Sequence, residues 1–261
     1  TASNNTSVGY NTLAANTTGA SNTAVGKGSL NVNLASNNTA VGMDSLGATT
    51  TGGGNTALGK GAAEATTTGD SNVVIGHEAF KVNTTGASNV AIGVAALDAN
   101  TTADANVAVG TSALGANTTG TYNTAVGYAA LDASTTTSNN TAIGYNAMTA
   151  TTSGSQNVAV GTSALNSHTE GNYNTGVGHN ALVSLTTGLS NTAMGASALD
   201  ANSTASYNSA FGSGALGAST GGSQNTAMGY LAMRDNTDGA SNVAMGSYAL
   251  ANNETADNNV A

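Results

Sequence analysis

The sequence predicts an all-β fold: a parallel β-solenoid, or β-roll, with one 17-residue coil per repeat. Three observations predict it. A five-residue box recurs at a fixed period, a glycine closes every copy of it, and charge is absent from a defined set of columns. The box reads Asn, Thr or Val, a small residue, an apolar residue, Gly. It starts at Asn5, Asn22, Asn38, Asn55, Asn72, Asn89, Asn106, Asn123, Asn140, Asn157, Asn174, Asn191, Asn208, Asn225 and Asn242, and again, truncated, at Asn259. All spacings are 17 except that from Asn22 to Asn38, which is 16. A period this short fits one coil of a stack, not a globular domain. The expected organisation is a single array over residues 1–261. Because the chain starts and stops inside repeats, it reads as a segment of a longer fibre.

Counting each repeat from its Asn, position 2 is Thr or Val except at Ser209, and position 4 is apolar throughout, as in Val25, Ile92 and Phe211. Strand alternation puts positions 2 and 4 on one face, and β-branched residues suit it, so this face is expected to point inward. Position 3, nearly always Ala, then points outward with the Asn. The glycine at position 5 (Gly26, Gly93, Gly110, Gly127 and Gly144 among them) is expected at positive φ or in close backbone contact. A second short strand is expected next, with the Leu-rich position 9 and the Ala or Val of position 11 inward and position 8 outward. A turn written Asn-Thr-Thr-Gly, as at residues 16–19 and 117–120, closes the coil. Its position-13 Thr can satisfy turn backbone groups.

Charge marks the columns further. The 17 charged residues and 3 histidines avoid positions 1 to 5, 8 and 9 entirely, which marks those columns as buried or tightly packed. The Asn column, represented by Asn22, Asn89, Asn106, Asn123 and Asn140, is expected to form an amide ladder at the roughly 4.8 Å spacing of stacked strands. Fifteen coils at that spacing predict a rod of about 70 Å. The flat, charge-free Ala columns at positions 3 and 8 suggest close approach of another backbone, hence a parallel homotrimer joined along them.

Boxes such as Asn89-Val90-Ala91-Ile92-Gly93 and Asn106-Val107-Ala108-Val109-Gly110 resemble the head repeats of trimeric autotransporter adhesins. The longer period, with its Asn-Thr-Thr-Gly turn, is similar to the related repeats of phage tail fibres and other surface fibres. The resemblance spans the chain. It implies a trimeric extracellular fibre at a cell or virion surface, adhesive or spacing in role, with a surface glycan or host receptor as partner.

Composition excludes other classes. A net charge of −9 disfavours nucleic acid as a partner. No apolar run reaches the roughly 18 residues of a spanning helix, so membrane insertion is not expected. With no cysteine, disulfides and thiolate metal sites are ruled out. No signal peptide is visible at Thr1. His77, His168 and His179 fall in separate repeats without metal-pair spacing, His168 and Glu170 read as an exposed turn pair, and Gly52-Gly53-Gly54 lacks the Lys-Ser/Thr of a phosphate loop. Enzyme activity, cofactors and metals are therefore not expected. Tyr128 and Tyr145 share position 6, and Tyr122 and Tyr173 share position 17; these are the candidate ligand contacts. Thr pairs at positions 13 and 14 raise an ice-binding alternative. N-glycosylation patterns such as Asn83-Thr84-Thr85 arise from the column rule itself.

Overall fold

The computed structural model describes residues 2–261. Every coil contributes one three-residue strand made from box positions 2 to 4. The chain forms two compact units, Thr1–Thr136 and Thr137–Ala261. The first holds β1 (Thr6–Val8), β2 (Thr23–Val25), β3 (Thr39–Val41), β4 (Thr56–Leu58), β5 (Val73–Ile75), β6 (Val90–Ile92), β7 (Val107–Val109) and β8 (Thr124–Val126). The second holds β9 (Thr141–Ile143), β10 (Val158–Val160), β11 (Thr175–Val177), β12 (Thr192–Met194), β13 (Ser209–Phe211), β14 (Thr226–Met228) and β15 (Val243–Met245). Within each unit, successive strands pair in parallel with box positions in register, for example Val90↔Val107, Ala91↔Ala108 and Ile92↔Val109. Each unit is thus a parallel β-solenoid with about 17 residues per coil.

The coil is inverted relative to the expectation. Position 3 points inward: Ala24, Ala91, Ala108, Ala159 and their equivalents are fully buried, while positions 2 and 4 face out. Position 8 is also inward, as Ala96, Ala113 and Ala164 are fully buried. The reason is the thinness of the coil. Gly176 occupies position 3 of its repeat, and a Cβ there would lie 3.4 Å from Leu165 Cγ and 3.2 Å from the Ala181 carbonyl. That gap fits a methyl closely, so alanine fills the inside in most coils and the larger chains of positions 2 and 4 are turned out, with Val74, 1% exposed, the branched exception at position 3.

Among the described residues no second strand forms in the coil. After the box glycine the chain makes two tight turns, with the N–H of Ala96 on the Gly93 carbonyl at 3.4 Å and that of Asn100 on the Leu97 carbonyl at 3.1 Å. Positions 7, 9 and 17 adopt left-handed backbone, as in Ala95 (φ 52), Leu97 (φ 52) and Ser88 (φ 59). Their N–H groups bond neighbouring coils, Leu97 to Ala113 at 3.0 Å and Ala95 to His77 at 3.2 Å. A left-handed leucine costs about 1–2 kcal/mol. Full burial of its side chain contributes about 1.5–3 kcal/mol, so the core column at position 9 tolerates the strain. Position 11 is not part of the core; Val32 is exposed there.

Polar side chains line the rest of the interior. Within each unit, the Oδ1 of a position-1 Asn accepts the backbone N–H of the next box Asn, as in Asn106 to Asn89 and Asn123 to Asn106, both 2.9 Å. Its Nδ2 donates to the position-15 carbonyl that closes its own coil, Asn22 to Ala35 and Asn106 to Gly120 at 2.8 Å, Asn89 to Ala103 and Asn140 to Gly154 at 2.9 Å. Direct amide-to-amide bonds are longer, 3.2 Å from Asn89 to Asn72. The expected ladder exists, with backbone N–H groups as its principal donors. Position 12, read in sequence as turn, is a second buried polar column: Asn83, Asn100 and Asn117 are fully enclosed. Position-13 hydroxyls form an inter-coil row, Thr67 to the Thr84 carbonyl and Thr84 to the Thr101 carbonyl at 3.0 Å.

The 16-residue repeat keeps this scheme. Asn22 and Asn33 both donate to Ala35, so Ala35 acts as position 15 and Leu34 alone spans what two turn residues span elsewhere. Strand register through β2 and β3 is unaffected.

Candidate functional site

The inversion leaves an uncharged face on the outside of each unit. Position 4 supplies its larger side chains: Leu58 and Met194 are each 47% exposed and Ile143 39%. Position 2 supplies a partly exposed rank of Thr and Val, such as Thr39, Val90, Val107 and Thr141. Strand geometry sets the two ranks about 6.8 Å apart along the chain and their members about 4.8 Å apart between coils. The box glycines rim this face. Gly26 has φ 123, Gly93, Gly110 and Gly127 each have φ 137, and Gly144 has φ 140. A Cβ on Gly93 would lie 2.5 Å from the Gly110 carbonyl oxygen, so close stacking and backbone conformation both demand glycine.

The sequence-predicted tyrosines are all exposed. Tyr122, at 65%, and Tyr128 belong to the first unit; Tyr145 and Tyr173 belong to the second. Tyr122 and Tyr173 stand on left-handed backbone at position 17 (φ 59 and 61). In that column Ser190 separates Tyr173 from Tyr207, so no continuous aromatic strip forms there. The aromatic pair the structure does bring together is Tyr230 with Tyr248, ring centroids 5.5 Å apart and edge-on at 86°. Its sequence signal was an 18-residue separation, joining position 6 of one repeat to position 7 of the next. Beside it, Arg234 holds Asp235 through two hydrogen bonds of 2.8 and 2.6 Å. That pairing keeps the Asp235 carboxyl below its ordinary range.

The remaining ionisable groups lie around the turns. Asp70, Asp104 and Asp257 at position 16 each accept the N–H of the preceding coil's position 16, at 2.6 to 2.7 Å. Their role is to cap backbone. Asp98 and Asp132 at position 10 flank Gly115, and partial burial raises both carboxyl pKa values. A shallow cleft of about 390 Å³ lies between Asp44 and Glu64, over Gly28 and Gly47. No nucleophile–base pair is formed by these groups, and among the described residues no three His, Asp or Glu side chains converge as metal ligands.

Two readings of turn chemistry change. His168 is not an exposed partner of Glu170; it is fully buried at position 12, whereas Glu170 is exposed. The glycosylation patterns beginning at Asn83, Asn100 and Asn117 place their asparagines inside the core, where each carboxamide holds its own turn: Asn83 accepts from Gly86 at 3.0 Å.

No protein-family model matches the chain, and a search of curated proteins finds no match to it.

Proposed function

We propose that this chain is a non-enzymatic, stiff segment of an extracellular fibre, assembled as a parallel homotrimer. The observation that carries this reading is the outward face formed by positions 2 and 4. Its position-4 rank is apolar, its position-2 rank is Thr, Val or Ser, and neither carries charge in any coil; within a unit, a repeated uncharged surface bearing exposed apolar side chains favours association. Each position-4 side chain removed from water contributes on the order of 1 kcal/mol. Repetition along a unit makes the seam strong although each coil adds little. The seam lies on columns 2 and 4; columns 3 and 8, expected to form it, are consumed by the interior of each coil.

Identical ranks favour identical partners, since a parallel copy meets itself in register. The exposed tyrosines, Tyr122, Tyr128, Tyr145 and Tyr173, remain outside such a seam as candidates for weak, multivalent contact with a surface glycan or receptor. A cell or virion surface is the setting this reading implies.

Mass in solution tests the assembly. The expected value is three times the 25.0 kDa chain. Replacing Ile92 and Met194 with Glu is expected to lower it toward one chain while far-ultraviolet circular dichroism is retained. A monomeric parent at micromolar concentration would sink the trimer.

One observation favours a second reading. The Thr-bearing rank at position 2 is outward on a strand, and its spacings of about 4.8 and 6.8 Å could order water in an ice-like lattice. An ice binder needs this face wet, whereas the seam needs it covered. Thermal hysteresis from a monomer selects ice binding; none at millimolar protein excludes it.

A further inference from the structure

Column 12 is the polar spine of the core, and two adjoining coils depart from its Asn, Ser and Thr, with His168 and Leu185. In the second unit the column runs Thr151, His168, Leu185, Asn202, Ser219 and Asn236, all fully buried. In the first unit adjoining amides bond each other, as Asn100 does to Asn83 at 3.2 Å. Above His168 stands Leu185, which offers no such partner. The imidazole is wedged over two position-15 glycines: a Cβ on Gly154 would lie 2.4 Å from His168 Cε1, and one on Gly171 3.0 Å from Nε2. Nδ1 is 3.1 Å from Thr151 Oγ1, and Nε2 is 3.4 Å from Asn174 Nδ2.

No charged side chain of the adjoining coils faces this ring, and only a backbone hydrogen bond to Gly171 favours its protonated form. The coil below, residues 140–156, contains no charged residue and one ionisable side chain, the exposed Tyr145. The coil above, residues 174–190, carries only His179, which is exposed at position 6. In its own coil, Glu170 and Tyr173 are both exposed. The neutral ring is accommodated; a protonated one would be an unpaired buried charge.

We propose that the coil Asn157–Tyr173 is an acid-sensitive latch, in which His168 takes up a proton only by leaving the core and so opens this coil ahead of the others. The inference is independent of the fibre reading, because it concerns the stability of one coil within a unit. Burial presses the imidazole pKa from 6.5 down to about 4. Above pH 6.5 both closed and open coils hold neutral His168, and opening is insensitive to pH. Between 6.5 and about 4 the open coil binds the proton and the closed coil does not, so opening grows as pH falls. Between pH 7 and pH 4 the opening constant is expected to rise about 100-fold, since the folded imidazole is itself half protonated near pH 4.

Amide hydrogen exchange followed from pH 7 to pH 4, corrected for intrinsic rates, tests this. The His168→Asn variant restores the column's usual amide and serves as the reference, and residues 90–97 of the first unit serve as internal control. The expected result is a loss of protection of about 100-fold in residues 157–173 of the parent, absent from the variant and from the control segment. Parallel profiles in parent and variant would overturn the proposal. Should the variant fail to fold, imidazole titration by NMR in the parent decides. A proton taken up near pH 6.5 while residues 157–173 stay protected would equally overturn it, and uptake coincident with their opening upholds it.

Discussion

Replacing Asn89 by Ala removes one rung of the interior ladder at a site with no access to water. The Asn89 Oδ1 accepts the N–H of Asn106 at 2.9 Å, and its Nδ2 donates to Ala103 at 2.9 Å, Ala87 at 3.1 Å and Asn72 Oδ1 at 3.2 Å. Not all of these partners are stranded by the change. Ala103 keeps a bond from Asn100 at 3.2 Å, and Asn72 Oδ1 keeps the N–H of Asn89 at 2.9 Å. The Asn106 N–H loses its acceptor outright. One orphaned buried donor costs about 1–3 kcal/mol, and the weakened carbonyl contacts bring the total to about 2–4 kcal/mol. Stacked repeats contact only their neighbours, so the loss is expected in residues 72–123 and not beyond. Hydrogen exchange reads this as about a 30- to 1000-fold drop in protection there. Lys60→Ala, on a charged position-6 turn, is expected to stay within about 0.5 kcal/mol. Equal effects from the two substitutions would refute the ladder as the element that holds coil to coil.

Three further substitutions separate backbone packing from surface charge. Gly93→Ala would drive a Cβ to 2.5 Å from the Gly110 carbonyl oxygen at φ 137 and is expected to unravel local stacking. Gly61→Asn, at φ 64 with its nearest neighbour 3.4 Å from the added Cβ, is expected to change stability by less than about 1 kcal/mol, since asparagine accepts left-handed backbone; thermal midpoints of the two variants make the comparison. Asp98→Asn is expected to raise the unfolding midpoint at pH 7. Burial lifts the Asp98 carboxyl above its ordinary value of 3.8, so the folded state disfavours the charged form. That penalty is constant above the raised pKa and fades as pH falls through it, so parent and variant should converge at pH 3.

Much of the fold was legible in the column pattern. The period set the coil length, position-5 glycine marked the close backbone approach, and the Asn column announced a ladder. Column 9 was rightly placed inside by its leucines. The left-handed conformation of Leu97 and its equivalents was not legible, because leucine has no preference for it; burial imposes it. The capping by Asp70 and Asp104 was hidden for a different reason, since a carboxylate at a turn reads as solvated unless the N–H one coil away is known. Column 12 was misread because Asn-Thr-Thr-Gly has turn composition, yet its first residue points into the core.

The largest error, the inverted strand, bears on the proposed seam. Alternation fixed that positions 1 and 3 oppose positions 2 and 4, and hydrophobicity then chose the wrong pair. The choice turned on the narrow width of the coil, filled by Ala24 or Ala91 opposite the leucine column with Val74 as the branched exception, while Val25 and Ile92 are turned out. Charge is absent from columns 1 to 5, 8 and 9. Burial in the coil explains that absence at positions 1, 3, 8 and 9, and backbone contact explains it at position 5. At positions 2 and 4 neither does, since those side chains face outward. These outward ranks exclude charge through fifteen coils, while adjoining turns carry Lys27, Asp44 and Glu78. The proposed seam with further copies accounts for that exclusion, and a charge placed at Ile92 tests it where the interior of the coil is untouched.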